Sequence, residues 1–214
     1  MHVVITGANR GIGQALMQRY VSRGGEVTGT ARNKDGFAHL DVTRSEDHSA
    51  FAEMLSDKPI DLLICNAGVY MDKGQELDGG YPAQMWADTF AANVTGVFLT
   101  VQSLLPNLRL AKHAKIAVIS SQMASHERAP GNSYVYRASK AAALNVGRNL
   151  AAELSNEGIA VGIYHPGWVS TEMGGDVAPT TVDQSADGLV LRFDELDMAS
   201  TGCFRTYEGL DHPY

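Results

Sequence analysis

The chain alternates short apolar runs with longer segments in which apolar residues recur at helical spacing. Apolar runs bounded by turn residues predict six strands, at Val3–Ile5, Glu26–Thr30, Leu62–Cys65, Lys115–Ser120, Ala160–Tyr164 and Gly202–Tyr207. A further strand, third in chain order, is expected near Phe37–Leu40. The interval between Arg32 and Asp41 is too short for a helix and a strand, so we expect a loop to lead into it.

The segments between the strands predict five helices, at Ile12–Ser22, Ser45–Ser56, Pro82–Leu108, Tyr134–Glu157 and Thr181–Leu196. Gly24 and Gly158 are expected to end two of them, because glycine adopts the left-handed conformation that often follows a helix. Strands such as Leu62–Cys65 are apolar throughout, which is typical of strands covered by helices on both faces. The sequence therefore predicts an α/β fold, with a single domain over residues 1–214 and a Rossmann-type doubly wound parallel sheet with helices on both faces.

A glycine-rich turn, Thr6–Gly13, follows the first strand and opens the first helix. Glycine permits a tight turn with positive φ, and without a Cβ it lets a diphosphate approach the backbone closely. The free N–H groups at the start of the helix would face that diphosphate. Such turns also occur purely to reverse the chain, and the position directly after a strand favours the phosphate site. The residues predicted to bind it are Gly7, Asn9, Arg10, Gly11, Ile12 and Gly13.

The net charge of the chain limits the kinds of molecule that it is expected to bind. A net charge of −7 leaves no basic face for nucleic acid or an anionic membrane, so small molecules are the expected partners. The chain has no signal-peptide pattern and no apolar stretch of membrane-spanning length, which predicts a cytoplasmic protein. Cys65 and Cys203 are expected to be buried thiols, and the histidines show no metal-ligand spacing, so we expect no metal ion.

Tyr136 and Lys140 are four residues apart on the predicted helix Tyr134–Glu157, so their side chains share one face. A lysine ammonium beside a phenol favours the phenolate, and would lower the pKa of Tyr136 from about 10 toward neutral pH. A tyrosine tuned in this way can exchange a proton with a carbonyl oxygen. Because this pair is also common on plain helix surfaces, its meaning depends on the motifs around it.

A series of ordered motifs resembles those of the short-chain dehydrogenase/reductase family. They are Thr6–Gly13, Asp41-Val42, Asn66-Ala67-Gly68, Asn93 in its Asn-Val-Thr-Gly run, Ser120-Ser121, Tyr136–Lys140, and Pro166-Gly167 through Thr171. A narrower resemblance, to the C-factor-like carbonyl reductases, lies in YRASKAAALN, HPGWVSTEMGG and the ending Gly202–Tyr214. The resemblance runs through nearly the whole chain and implies an oxidoreductase that uses a nicotinamide cofactor.

The resemblance implies a role for each of four catalytic residues. Tyr136 would be the general acid in reduction and the base in oxidation, and Lys140 would lower its pKa and hydrogen-bond the nicotinamide ribose. Ser121 would hold the substrate oxygen, with the adjacent Ser120 as the alternative. Asn93 would hold a water that links Lys140 to solvent.

The resemblance also implies where the cofactor lies. It places Asp41 and Val42 beside the adenine ring, and the run Asn66, Ala67 and Gly68 at the central sheet. The nicotinamide end would be bound by Tyr136, Lys140, Pro166, Gly167, Val169 and Thr171.

The cofactor preference follows from charge at the end of the second strand. An NAD enzyme usually presents an acidic side chain there, and this chain has Ala31 followed by Arg32. Arg10 and Arg32 could flank a ribose 2′-phosphate, so NADP(H) is the predicted cofactor. The alternative is that these arginines are solvated surface charges, and use of NAD(H) stays open.

The substrate pocket is expected in the loops that follow the strands. Large residues there suit an apolar carbonyl or alcohol substrate, although such residues are as often packing: Tyr70, Met123, Tyr134, Trp168 and Met173. The spacing after Ser121 is slightly longer than usual for the family and would select Tyr134 as the catalytic tyrosine. Tyr134 has Ala138 rather than a lysine four residues on, which favours Tyr136 and leaves Tyr134 as a pocket wall or a structural residue.

These observations predict an NADP(H)-dependent oxidoreductase that transfers a hydride between the nicotinamide and a carbonyl or alcohol substrate, with Tyr136 as general acid and base. The alternative is an NADP-binding signalling or redox-sensing protein with little or no turnover, because a fold does not fix a function. By resemblance, we expect a homodimer or homotetramer assembled through the helices Pro82–Leu108 and Tyr134–Glu157.

Overall fold

Seven parallel strands form one sheet in the computed structural model, which describes residues 1–214. The strands are β1 (His2–Ile5), β2 (Glu26–Ala31), β3 (Ala38–His39), β4 (Leu62–Cys65), β5 (Lys115–Ile119), β6 (Ala160–His165) and β7 (Phe204–Thr206). Their order is β3-β2-β1-β4-β5-β6-β7, and every neighbouring pair is parallel. The strand order reverses between β1 and β4, so a crevice opens at the carboxyl ends of these strands. The predicted α/β doubly wound sheet is confirmed.

Six α-helices cover the two faces of the sheet: α1 (Gly11–Ser22), α2 (Ser45–Leu55), α3 (Ala83–Phe90), α4 (Gly96–Leu110), α5 (Tyr134–Leu154) and α6 (Val182–Glu195). A cluster of 24 buried apolar residues joins α2, α4 and α5 to one face, and a cluster of 15 joins α1 and α6 to the other. Val4 of β1 lies in the first cluster, whereas Val3 and Ile5 lie in the second. Because both faces are covered, the central strands need apolar residues at every position.

The predicted helix Pro82–Leu108 is interrupted by a π-helical segment, Ala91–Thr95, between α3 and α4. A π turn accommodates an extra residue without ending the helix, and such turns are frequent at functional sites. The apolar spacing on either side stays helical, which is why the sequence pattern gives no sign of the interruption. Asn93, one of the predicted catalytic residues, lies in this segment and is buried.

The ends of the elements follow the predictions closely. Gly24 and Gly158 have φ angles of +76° and +73°, as expected for residues that end a helix. No helix lies between β2 and β3, so the predicted loop is confirmed. The last strand is shorter than predicted, because Gly202 has a φ of +83° and cannot continue an extended strand. None of the helices is both long and apolar enough to cross a membrane.

Candidate active site

The glycine-rich turn is held by the residues that follow β4. The hydroxyl of Thr6 accepts hydrogen bonds from the backbone N–H groups of Asn66 and Ala67, each at 3.0 Å. The side-chain amide of Asn66 donates to the carbonyls of Thr6 and Gly7 at 3.0 and 3.1 Å. The predicted run Asn66-Ala67-Gly68 therefore supports the turn from its neighbouring strand.

Three glycines shape the turn. Gly7 and Gly11 have positive φ angles of +65° and +53°. Gly13 is required for a different reason, because a Cβ there would lie 2.3 Å from the carbonyl oxygen of Gly7 and 2.5 Å from the amide nitrogen of Asn66. Arg10 at the N-cap of α1 makes no side-chain capping hydrogen bond. The turn thus offers an open backbone surface and a helix N-terminus that suit a diphosphate.

The loop predicted to bind the nicotinamide lies over this turn. A Cβ on Gly11 would lie 3.5 Å from the Thr171 methyl group, so the two segments are in contact. Gly167 has a φ of +91°, and the carbonyl of the preceding residue, Pro166, accepts a hydrogen bond from Ser185 at 2.6 Å. Val169 is buried and forms a bridge with Thr180. The structure therefore brings the two predicted cofactor segments together at one crevice.

Exposed cations lie near the end of β2. Arg32 is exposed, and the preceding Ala31 is buried. Lys34 donates a hydrogen bond to the carbonyl of Asn9 at 3.3 Å, so it lies against the glycine turn. Lys34 is not among the residues predicted from the sequence, although its position two residues after Arg32 was a signal. Arg10 forms an ion pair with Glu172 across the crevice instead of lying free beside Arg32.

The predicted adenine-side residues lie beyond β3. A carboxylate oxygen of Asp41 accepts hydrogen bonds from the backbone N–H and the hydroxyl of Thr43, at 3.0 and 2.7 Å. Val42 is buried against α4, where a Cβ on Gly96 would lie 2.8 Å from the Val42 carbonyl oxygen. These contacts fix the chain at the edge of the crevice where the resemblance puts the adenine ring.

Tyr136, Lys140 and Ser121 form one buried group behind the carboxyl end of β5. The Lys140 Nζ lies 5.7 Å from the centroid of the Tyr136 ring and donates to the carbonyl of Ile119 at 3.0 Å. The Ser121 side chain lies close enough to Tyr136 to act on the pKa of its phenol. By contrast, the Ser120 hydroxyl donates to the carbonyl of Lys140 at 3.0 Å. Of the two adjacent serines, only Ser121 acts on the Tyr136 phenol.

Asn93 connects three segments around this group. Its side-chain oxygen accepts from the N–H of Val69 at 2.8 Å, and its amide nitrogen donates to the Val69 carbonyl and the Ser139 hydroxyl at 2.9 and 3.0 Å. A Cβ on Gly68 would lie 3.1 Å from the Asn93 oxygen and 3.4 Å from the Lys140 Nζ. Asn93 and Lys140 are thus close enough to share a water, and the predicted water link stays a prediction.

The pKa of Tyr136 is shifted in the direction opposite to the expectation. Burial raises the pKa of Tyr136 well above its ordinary value, the neighbouring Ser121 hydroxyl opposes this rise, and Tyr70 and Asp72 add to it. Burial also lowers the pKa of Lys140 to about 8. The prediction that Lys140 lowers the pKa of Tyr136 is therefore wrong for this structure. The reason is that the phenol is enclosed, while the lysine is directed to a backbone carbonyl.

Three of the five predicted substrate residues lie in the loops after β4 and β5 or at the start of α5, and they are Tyr70, Met123 and Tyr134. Tyr70 packs on the group formed by Tyr136, Lys140 and Ser121, because its ring stacks on Tyr136 with centroids 4.2 Å apart. Met123 follows Ser121 and is half-buried, and its N–H donates to the Ser121 hydroxyl at 3.1 Å. Tyr134 is exposed and packs edge-on against Tyr81.

The other two predicted substrate residues lie on the loop after β6. Trp168 and Met173 are both exposed. The indole N–H of Trp168 donates to the Gly174 carbonyl at 3.0 Å. Lys73 donates to the carbonyls of Met173 and Gly174 at 3.3 Å each, which ties this loop to the segment after β4. The structure thus leaves large apolar side chains exposed at the rim.

A family model described as short chain dehydrogenase matches residues 1–181. The C-signal protein of Myxococcus xanthus is 36% identical over 166 residues, which cover 77% of this chain and 99% of that protein. The 1-hydroxy-2-glutathionyl-2-methyl-3-butene dehydrogenase of Rhodococcus sp. strain AD45 is 30% identical over an alignment of 224 residues, covering 97% of this chain and 96% of that enzyme. The crystal structure of NADPH-bound carbonyl reductase from chicken fatty liver aligns with a TM-score of 0.92 at 28% identity, over 100% of this chain and 98% of that one.

Proposed function

Because this chain belongs to the short-chain dehydrogenase family, we propose that it is an NADP(H)-dependent oxidoreductase acting on a carbonyl or alcohol substrate. The observation that carries the proposal is the buried group of Tyr136, Lys140 and Ser121, beside a crevice bounded by the glycine turn and the Pro166–Thr171 loop. The similarity to an NADPH-bound carbonyl reductase supports the cofactor and the reaction class.

Each residue of the group has a task in the proposed reaction. The nicotinamide supplies the hydride when it is bound. In reduction, Tyr136 donates its phenolic proton to the developing alkoxide, and Ser121 holds that oxygen by a hydrogen bond. A raised pKa keeps Tyr136 protonated at neutral pH, which suits a general acid. Lys140, with a pKa of about 8, can return a proton toward Tyr136 between turnovers.

The residues around the crevice fit the proposed cofactor. The glycine turn leaves room for a diphosphate at positions where a side chain would clash, above all at Gly13. Arg32 and Lys34 supply positive charge for a ribose 2′-phosphate. Arg10 can join them only by exchanging the carboxylate of Glu172 for the phosphate. Because both side chains of that pair are exposed, the exchange requires little free energy.

The cofactor preference can be tested at Arg32. We expect Arg32→Ala to raise KM for NADPH by about tenfold and to change KM for NADH little, because only NADPH carries the 2′-phosphate. Lys112→Ala is the matched control, since it removes the same charge from an exposed turn outside the crevice. Steady-state kinetics with both cofactors measure the effect. An equal loss with NADPH and NADH would show that Arg32 does not discriminate between them.

The reaction class is tested by mixing the protein with NADPH and a panel of aromatic aldehydes and ketones. Loss of NADPH absorbance that depends on both protein and carbonyl would support the proposal. A second candidate, a signalling protein that binds NADP with little turnover, is favoured by the 36% identity to the C-signal protein. Tight NADPH binding without turnover of any carbonyl would support that candidate instead.

We propose further that residues 1–214 act as one dinucleotide-binding catalytic domain in the cytoplasm, and that the chain forms a homodimer or homotetramer. The alternation of strands and helices without a linker supports the first part. Exposed apolar side chains on α3 and α4, such as Trp86 and Phe98, support self-association. Light scattering at several protein concentrations would measure the oligomeric state.

A further inference from the structure

Asp72 is a fully buried acidic residue in the loop that follows β4. It belongs to none of the ion pairs of the structure. Its carboxylate instead accepts hydrogen bonds from the backbone N–H of Val135 at 2.8 Å and from that of Tyr136 at 3.3 Å. A buried carboxylate without a cation needs such compensation, and here the compensation comes from the first turn of α5.

The usual capping residue of α5 does not perform this task. Ser133 occupies the N-cap position but has a left-handed conformation, and its side chain caps nothing. Its hydroxyl pairs with the Tyr70 hydroxyl at 2.5 Å. The N–H groups at the start of the helix would otherwise be unsatisfied and buried, so Asp72 replaces the missing cap from a distant part of the chain.

The carboxylate of Asp72 lies against the backbone of Tyr136, the residue that carries the phenol we place at the centre of catalysis. The start of a helix carries partial positive charge, which favours an anion nearby, including a tyrosinate on the first turn. The carboxylate of Asp72 neutralises that charge and repels a tyrosinate. The other groups that face Tyr136 are the stacked Tyr70, the hydroxyl of Ser121 and the ammonium of Lys140. Asp72 is thus the only carboxylate among them.

We propose that Asp72 is a positioning residue for Tyr136: it fixes the first turn of α5 and keeps the phenol protonated until a substrate oxygen takes the proton. This inference rests on the proposed function, in which Tyr136 is the general acid. The direction of the pKa shift of Tyr136, to which Asp72 contributes a rise, agrees with it. The contact could not be predicted from the sequence, because Asp72 and Val135 are 63 residues apart.

The inference is tested with Asp72→Asn and Asp72→Ser, which remove the charge while leaving an oxygen that can accept a hydrogen bond. We expect the pH midpoint for alcohol oxidation by NADP⁺ to fall by about one unit in both variants, because tyrosinate forms more readily without the carboxylate. The alkaline loss of carbonyl reduction should move down by the same amount. Asp72→Glu, which retains the charge, should keep the midpoint of the parent protein even where its rate falls.

Asp78→Asn is the matched control, because Asp78 is exposed on the same loop. Its midpoints should not move. The ultraviolet titration of tyrosinate in the cofactor-free protein separates this inference from the proposed function, because it requires no turnover. The signal of Tyr136 is the difference between the titration of a chain that has Tyr136 and the titration of the same chain with Tyr136→Phe. A lower tyrosinate midpoint in Asp72→Asn would support the inference even if no carbonyl is reduced. Unchanged midpoints with reduced thermal stability would overturn it and leave Asp72 with a purely structural role.

Discussion

Replacing Tyr136 with phenylalanine is expected to lower kcat for carbonyl reduction by about 10²–10⁴-fold, because in the proposed reaction the phenolic proton neutralises the alkoxide. The affinity for NADPH should fall far less than kcat, because Tyr136 is only one of the many residues predicted to bind the cofactor. The ring is buried and stacked on Tyr70, and both features survive the loss of one hydroxyl. The change removes the hydroxyl that faces Ser121 and leaves the ring in place.

The Tyr136→Phe effect is measured by kcat and KM for the carbonyl, together with a fluorescence titration of NADPH. Tyr134→Phe is the matched control, because Tyr134 lies two residues earlier on the same helix and is exposed. We expect that variant to retain kcat, with any effect confined to KM for the carbonyl. A Tyr136→Phe protein with unchanged kcat, or a Tyr134→Phe protein with the larger loss, would contradict the assignment of the general acid.

Gly13→Ala is expected to destabilise the protein by about 1–3 kcal/mol or more and to abolish measurable NADPH binding. The added methyl group would lie 2.3 Å from a backbone oxygen and 2.5 Å from the Asn66 amide. A backbone carbonyl cannot rotate away as the end of a flexible side chain can, so the turn itself must shift. That shift would break the hydrogen bonds by which Asn66 holds the turn against β4.

The Gly13→Ala effect is measured by thermal unfolding and by NADPH titration. Gln14→Ala serves as the control, since Gln14 is the next residue of α1 and is exposed. Alanine is a better helix former than glutamine, so that control should unfold at the same temperature or slightly higher. Normal NADPH affinity in a folded Gly13→Ala protein would show that the cofactor diphosphate does not depend on this turn.

The fold was predictable because its signals are local. Strands such as β4 are apolar at every position, as burial on both faces demands, and the helices between them have a clear apolar periodicity. The glycines that end α1 and follow α5 could be recognised in the sequence, because glycine readily adopts the positive φ that often follows a helix. The pairing of Tyr136 with Lys140 was predictable for the same reason, since both residues lie on one turn of one helix.

What the sequence did not reveal depends on contacts between distant segments. Nothing near Asp72 in the chain shows that it caps α5, and nothing near Arg10 indicates its pairing with Glu172. The sign of the pKa shift of Tyr136 was missed because burial, which dominates it, comes from the fully folded chain. The π turn at Asn93 was missed because it leaves the apolar spacing around it unchanged.

The direct loop from β2 to β3 has a consequence for how the cofactor affinity varies with solution conditions. No helix covers that crossover, and the two cations that we propose for a 2′-phosphate, Arg32 and Lys34, are exposed there. Attraction between exposed charges weakens as dissolved salt rises, over a Debye length of about 10 Å at 0.1 M ionic strength. The dissociation constant for NADPH should therefore increase with ionic strength more steeply than that for NADH.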